Sequence, residues 1–208
     1  MSKTDYFRQP KVISSMTWLY DAHIHLSDTE YENDIPLILN CMEKLRIKAC
    51  CVSMDYPSSK KTLELGKQSD LILPFIGVHP EKAQDDTESV FKMIDGNNEK
   101  ISGIGEIGLD STYTNSDEEF QRQEEVFKTQ LSHAEKFAKP VSIHSRKTLD
   151  QILEILPSYK IPSVLLHWFD GSKKQLQQAM DLDCYVSFGP VTVYSKDKQV
   201  LLSKANKD

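Results

Sequence analysis

The chain lacks a basic surplus. Its 25 Lys and Arg stand against 31 Asp and Glu, for a net charge of -6. Proteins that coat duplex DNA neutralise several phosphates at once with Lys and Arg, so the charge argues against that class. An acidic chain acts on a polyanion only where bound cations supply positive charge locally. Also missing is any run of about 18 apolar residues, so no membrane span is expected. Residues 1–10 contain no apolar core of a secretory signal, and an intracellular protein, cytoplasmic or nuclear, is expected. The four cysteines, Cys41, Cys50, Cys51 and Cys184, form no CxxC pair. They read as small buried hydrophobes, with a zinc or redox role as the alternative. No GxGxxG follows the first apolar run, which argues against dinucleotide binding. No repeat or Pro/Gly/Ser-rich linker interrupts the chain, which therefore reads as one domain.

What is present is an alternation. With 208 residues, 39% hydrophobic and 27% charged, the chain can bury a sizeable core. Short apolar runs at 18–25, 47–54, 71–78, 101–107, 140–144, 163–168 and 184–188 are rich in Val and Ile, as strands buried on both faces should be. Between them lie helical stretches. The clearest is 117–139, with Phe120, Phe127, Leu131, Ala134 and Phe137 near helical spacing, Ser116 or Asp117 as its cap and Pro140 closing it. Weaker helices are expected at 36–45, 58–68, 87–94, 148–156 and 173–182. Seven strands alternating with helices predict parallel βαβ units with right-handed crossovers. The pattern leaves open whether they form an open sheet or a closed barrel.

The polar residues carry more information than the pattern. The first run ends in His23-Ile24-His25, the third in His79, the fourth in Glu106, and the fifth and sixth in His144 and His167. Five of the six histidines thus fall at strand ends, and only His133 sits mid-helix. In a parallel barrel those ends open on one face, where such folds place their active sites. Residues i and i+2 of a strand point the same way, so His23 and His25 form half of a metal site. Glu106 lies in Gly103-Ile104-Gly105-Glu106-Ile107-Gly108-Leu109-Asp110, where the glycines allow a close backbone approach and its two oxygens can bridge two cations. Asp110 is read as a group that orients a ligand or handles a proton, the alternative being a solvated acid in a glycine-rich turn. Arg146 is read as a phosphate grip or, equally, as half of a surface ion pair.

Five segments, Asp21-Ala22-His23-Ile24-His25, Gly77-Val78-His79-Pro80, the Gly103–Asp110 stretch, Ile143-His144-Ser145-Arg146 and His167-Trp168-Phe169, resemble the motifs of the TatD family of metal-dependent deoxyribonucleases, in the family's order. The resemblance implies an α/β fold, a TIM-like (β/α) barrel of the metal-dependent hydrolase type. It implies that His23 and His25 hold one cation with Glu106 bridging, that His144 and His167 hold the second, and that His79 lies near the substrate phosphate. The implied activity is hydrolysis of DNA phosphodiesters, often from the 3′ end of single strands, by two divalent cations (zinc, or manganese or magnesium). DNA is then the substrate, no membrane or obligate protein partner is expected, and the chain is expected to be a monomer.

Two departures from the family pattern stand out. Trp168 occupies the place of a Cys, a change expected to alter packing rather than ligation. Nothing after Phe188 matches the Thr-Asp-Ser-Pro that ends the family's eighth strand. The expectation is therefore an extension at 1–17, a barrel of about seven of eight strands at 18–194, and a polar, frayed tail at 195–208. A shortened chain of that kind is expected to be less stable and less active than a complete barrel. Two rival readings are an amide or deamination hydrolase on the same barrel, disfavoured because Glu106 stands where those relatives carry a modified Lys, and a weak form that binds metal without turnover.

Overall fold

A computed structural model of the protein describes residues 17–205. The expected extension lies outside these residues except for Thr17, as do the last three residues of the expected tail. The described elements alternate as strand and helix from end to end. They are β1 (Leu19–Ile24), α1 (Ile35–Leu45), β2 (Ile47–Cys51), α2 (Tyr56–Gln68), β3 (Ile72–Ile76), α3 (Thr87–Asn97) and β4 (Gly103–Asp110). There follow α4 (Asp117–Lys136), β5 (Val141–Arg146), α5 (Leu149–Ile155), β6 (Val164–Leu166), α6 (Lys173–Asp181), β7 (Tyr185–Val186) and α7 (Lys196–Lys204).

Local chemistry explains the longest helix. The Ser116 hydroxyl accepts the Glu119 N–H, and Asp117, Glu118 and Glu119 place negative charge at the positive end of the helix dipole. One stripe of α4, including Gln123, Phe127, Gln130, Leu131 and Ala134, is buried at the spacing an amphipathic helix requires. The helix stops at Lys136, short of the expected residue 139, because Ala138 takes a left-handed φ of 49°. The Phe137 N–H then caps the His133 carbonyl and the Lys139 N–H caps that of Ala134, the usual end for a helix.

All seven strands pair in parallel and in chain order, and β1 and β7 end the sheet with no pairing between them among the described residues. Strands lie about 4.8 Å apart, so a flat sheet would separate β1 from β6 by roughly 24 Å. The rings of His23 and His167, on β1 and just after β6, instead stack with centroids 3.5 Å apart. Only a sheet curled nearly into a closed ring permits that contact. The fold is thus the expected (β/α) barrel with seven strands.

The core has two parts. The larger is built on the middle strands, with Ile104, Ile107, Phe127, Leu131, Ile143 and Leu166 all fully buried. The smaller, around Leu26, Ile35, Met42, Ala49 and Leu65, sits under β1 and β2. Every residue of β4 is buried, as a strand covered on both faces must be. Among the described residues no helix is long and apolar enough to cross a membrane.

The expected frayed tail is corrected by α7. Ser195 caps its start by accepting the Lys198 N–H, Lys198 pairs with Asp170, and Leu201 packs into the main core at 5% exposure. Val200 and Leu202 remain exposed, so a single inward side chain anchors an otherwise polar helix. One apolar position is too weak a pattern to separate an anchored helix from a solvated tail. Leu201→Ala should therefore lower the unfolding free energy by about 2–4 kcal/mol, read from the urea midpoint at unchanged slope. An unchanged midpoint would mean that α7 is not docked.

Candidate metal centre

Two strands are irregular where the ligand candidates lie. The β1–β2 register shifts between Asp21 and Ile24, around His23. The β4–β5 register shifts between Ile104 and Ile107, around Glu106. Such bulges re-aim a side chain at the rim of a barrel. At the second, β4 leaves its neighbour and bonds across to Ser53, which accepts the Glu106 N–H at 2.8 Å and donates to the Gly105 carbonyl at 3.1 Å. Gly108, at a φ of 145°, lies so close to β5 that a Cβ there would sit 2.0 Å from the His144 carbonyl oxygen. No other residue fits that approach.

The result is a cluster around one buried carboxylate. Glu106, 4% exposed, turns Oε2 towards His25 Nε2 at 3.1 Å and His23 Nε2 at 3.5 Å. Its other oxygen, Oε1, faces His144 Nδ1 at 3.2 Å. His23 and His25 bring their Nε2 atoms to 3.2 Å of each other. Ligands of a tetrahedral cation with bonds of roughly 2.0–2.1 Å stand about 3.3 Å apart, so the three edges of this group fit a cation held by two imidazoles and a carboxylate. A second group that could hold an ion joins Glu106 and His144 to His79.

The far nitrogens are also engaged. His23 Nδ1 lies 2.8 Å from Ser142 Oγ, and His144 Nε2 lies 2.8 Å from Asp110 Oδ2. Partners of this kind fix ring orientation and leave the inner nitrogen to face the site. Asp110 is itself fully buried and accepts both the Thr112 N–H and hydroxyl. His79 differs. Its Nδ1 accepts the Glu81 N–H at 3.2 Å, so the ring proton sits on Nε2 and that atom is a donor. His167 stacks on His23 at the mouth of the barrel, outside both ion-holding groups among the described residues. Arg146 is exposed at the rim of the same cleft, which encloses about 1080 Å³, and has no ion pair among the described residues.

Charge in the cluster follows from these contacts. Burial alone would raise the Glu106 carboxyl pKa, but the facing His144, His23 and His25 rings outweigh it and hold the group ionised well below the ordinary range. Burial would lower His144, but Glu106 and Asp110 outweigh it and raise its pKa above the ordinary histidine value. Burial also penalises an ionised Asp110, yet Thr112 and His144 keep its pKa below the usual value. His79 and His167 are pushed down to about 4 by burial, the second with help from His23. Both are neutral at pH 7.

Several supporting residues had escaped the sequence reading. Ser142 lies two residues before His144, and the period of two places it on the same face. Gln123 and Gln130, seven apart on the buried stripe of α4, bind backbone at two strand ends. Gln130 accepts the Val78 N–H at 2.6 Å and donates to the Val78 carbonyl at 3.1 Å, just before His79. Gln123 accepts the Asp110 N–H and donates to the carbonyls of Asp110 and Pro80. Their one signal was amide side chains on an apolar helical face. None of the four cysteines joins an ion-holding group among the described residues.

Comparison with known proteins gives a consistent result. The family model described as TatD related DNase matches residues 20–207. The uncharacterized metal-dependent hydrolase YabD of Bacillus subtilis (strain 168) is 31% identical over 186 residues, which cover 86% of this chain and 72% of YabD. Deoxyribonuclease TATDN3 of Homo sapiens is 26% identical over 200 residues, 89% of this chain and 73% of the human protein. Among solved structures, YJJV, a TatD homolog from Escherichia coli K12, superposes with a TM-score of 0.81 at 22% identity, covering 90% of this chain and 75% of YJJV. At that identity the likeness is one of fold.

Two outcomes are expected. Gln130→Leu strands the buried Val78 N–H and carbonyl and should cost about 2–5 kcal/mol of stability by chemical denaturation; a loss below 1 kcal/mol by the same method would show that the clamp is dispensable. Burial pushes the Cys51 thiol up to about 12 and that of Cys184 up to about 11. Thiolate is the reactive form, so iodoacetamide at pH 8 should label exposed Cys41 and spare Cys51 until the protein unfolds. Peptide mass mapping reads the order, and early labelling of Cys51 would contradict its burial.

Proposed function

The chain belongs to the TatD family of related DNases, and from that membership we propose that it is a metal-dependent phosphodiester hydrolase acting on DNA, an exonuclease on single strands that uses two divalent cations. The observation that supports this reading best is the two-sided placement of Glu106, with one oxygen towards His23 and His25 and the other towards His144. A carboxylate so placed suits a bridge between neighbouring cations. The names of the relatives, a metal-dependent hydrolase and a deoxyribonuclease, point to the same chemistry.

His23, His25 and Glu106 would hold one cation, and Glu106 and His144 the other, which His167 would join by turning from its stack on His23, since it lies outside both ion-holding groups among the described residues. Imidazole and carboxylate donors suit zinc or manganese, and magnesium where waters complete the shell. Bound there, the cations would supply Lewis acidity towards the phosphate and lower the pKa of a water molecule. The protein's own groups do the rest. Asp110 and Ser142 hold the His144 and His23 rings by their far nitrogens, so that the inner nitrogens stay aimed at the site. His79, neutral and with its proton on Nε2, donates to a phosphate oxygen from inside the barrel. The Arg146 guanidinium meets the phosphate from the rim, where a planar pair of donors suits two phosphate oxygens. A net charge of -6 is compatible with a polyanionic substrate on these terms alone, because the positive charge is local.

Glu106→Gln tests the reading. It keeps the volume but removes the charge that the site is built around. Hydrolysis of a labelled single-stranded oligonucleotide should fall at least about 100-fold, and the thermal stabilisation given by zinc or manganese should disappear. Full activity in this folded variant would reject the bridging role.

A further inference from the structure

One large side chain at the mouth is left without a structural duty. Trp168 follows His167 directly and is 60% exposed. It is nonetheless firmly placed. Its φ of 47° is a region that bulky residues rarely adopt, and its N–H donates to Ser187 Oγ at 3.0 Å. The next residue, Phe169, is buried and bonded to the Ser187 carbonyl. A Cβ at Gly189 would come within 3.0 Å of the indole, so the glycine lets the backbone close along one ring edge. The indole lies within 17° of parallel to His167 at 5.5 Å, and His167 lies within 5° of parallel to His23. Three flat rings thus lead from the ion-holding group to solvent.

Leaving an indole in water forgoes burial that would otherwise stabilise the fold. Holding it there in a rare backbone conformation costs more. A ligand with a flat face would recover both. The same cleft supplies what such a ligand would carry besides a ring. The Arg146 charge is unpaired among the described residues, whereas that of Lys198 is taken up by Asp170. Tyr194, 77% exposed, also lines this cleft.

We propose that Trp168 is a stacking platform for a nucleobase of single-stranded nucleic acid, fixing the nucleotide whose phosphate lies at the ion-holding groups. The proposal rests on the hydrolase reading and adds a substrate-binding residue to it. Stacking of this kind tolerates sequence, because every base offers a π face. It also selects against duplex, in which the faces are covered by neighbouring bases.

The test reads binding. The full chain is titrated, in chelator so that no strand is cut, against a short fluorescent oligothymidylate and against an abasic strand of the same length. Wild type should bind the base-bearing strand at least about fivefold more tightly, the lower end of what one stacked base contributes. Trp168→Ala should abolish that preference and leave the abasic affinity unchanged, while Trp168→Phe keeps most of it. An unchanged preference in Trp168→Ala, or an equal loss on both strands, would overturn the platform. Cleavage by the metal-loaded wild type separates the two claims. A Trp168-dependent preference without any cleavage retains the platform and rejects the nuclease, and cleavage with a Trp168-independent preference does the reverse.

Discussion

A single buried carboxylate constrains the mouth of this barrel. An ionised carboxyl out of water costs on the order of several kcal/mol unless paired, and Glu106 is 4% exposed. Its partners come from β1 and β5, on either side of the barrel mouth, and none is near it in sequence. The curl of the sheet, the two register shifts and the glycine at 108 can all be understood as conditions for that meeting. Part of the compensation comes from a proton on His144, whose pKa the flanking Glu106 and Asp110 raise. A divalent cation would take the same place with more charge. The site is therefore consistent with either occupant, and metal uptake must compete with protons.

Around that centre the backbone is held more rigidly than the strands alone would hold it. β4 changes partners at Gly105 and Glu106, and Ser53 takes up the two backbone groups so released. The helix beyond does the same for the strand ends: Gln123 and Gln130 satisfy buried amides and carbonyls beside Asp110 and His79. These are full donor–acceptor pairings of groups that no ladder reaches, and an unmet buried amide costs more than a formed bond returns. Ligand geometry thus depends on a helix that contributes no ligand.

How much of this could be read in advance follows from which interactions leave a local trace. Alternating apolar runs reveal parallel strands, and histidines at the ends of those runs reveal the mouth, because both obey short periods. The i, i+2 spacing of His23 and His25 carries its geometry on its face. The company each histidine keeps has no such trace. His79 reaches the Glu106 and His144 group, and His167 lies against His23, because of how the barrel curls, which is a property of all seven strands together. Ser142 and the two glutamines were hidden for the same reason. Residues 196–204 misled in the opposite direction: their polarity is real, and one inward leucine with a serine cap was enough to make a helix of them.

Charge distribution draws these points together. An acidic protein repels a polyanion everywhere except where positive charge is concentrated, and at this mouth the group of His23, His25 and Glu106 shares one cleft with His144 and Arg146. Repulsion elsewhere falls off within about 10 Å at 0.1 M salt, so it does not prevent approach but discourages long-range adhesion along a duplex. A polyanion that enters the cleft meets that attraction at one place only. The flat rings running outward from His23 through His167 to Trp168 then matter because they add an uncharged, salt-insensitive contact next to a charged one. A chain without a surplus of positive charge gains selectivity for an exposed base by that pairing, where a basic groove would gain affinity for any phosphate.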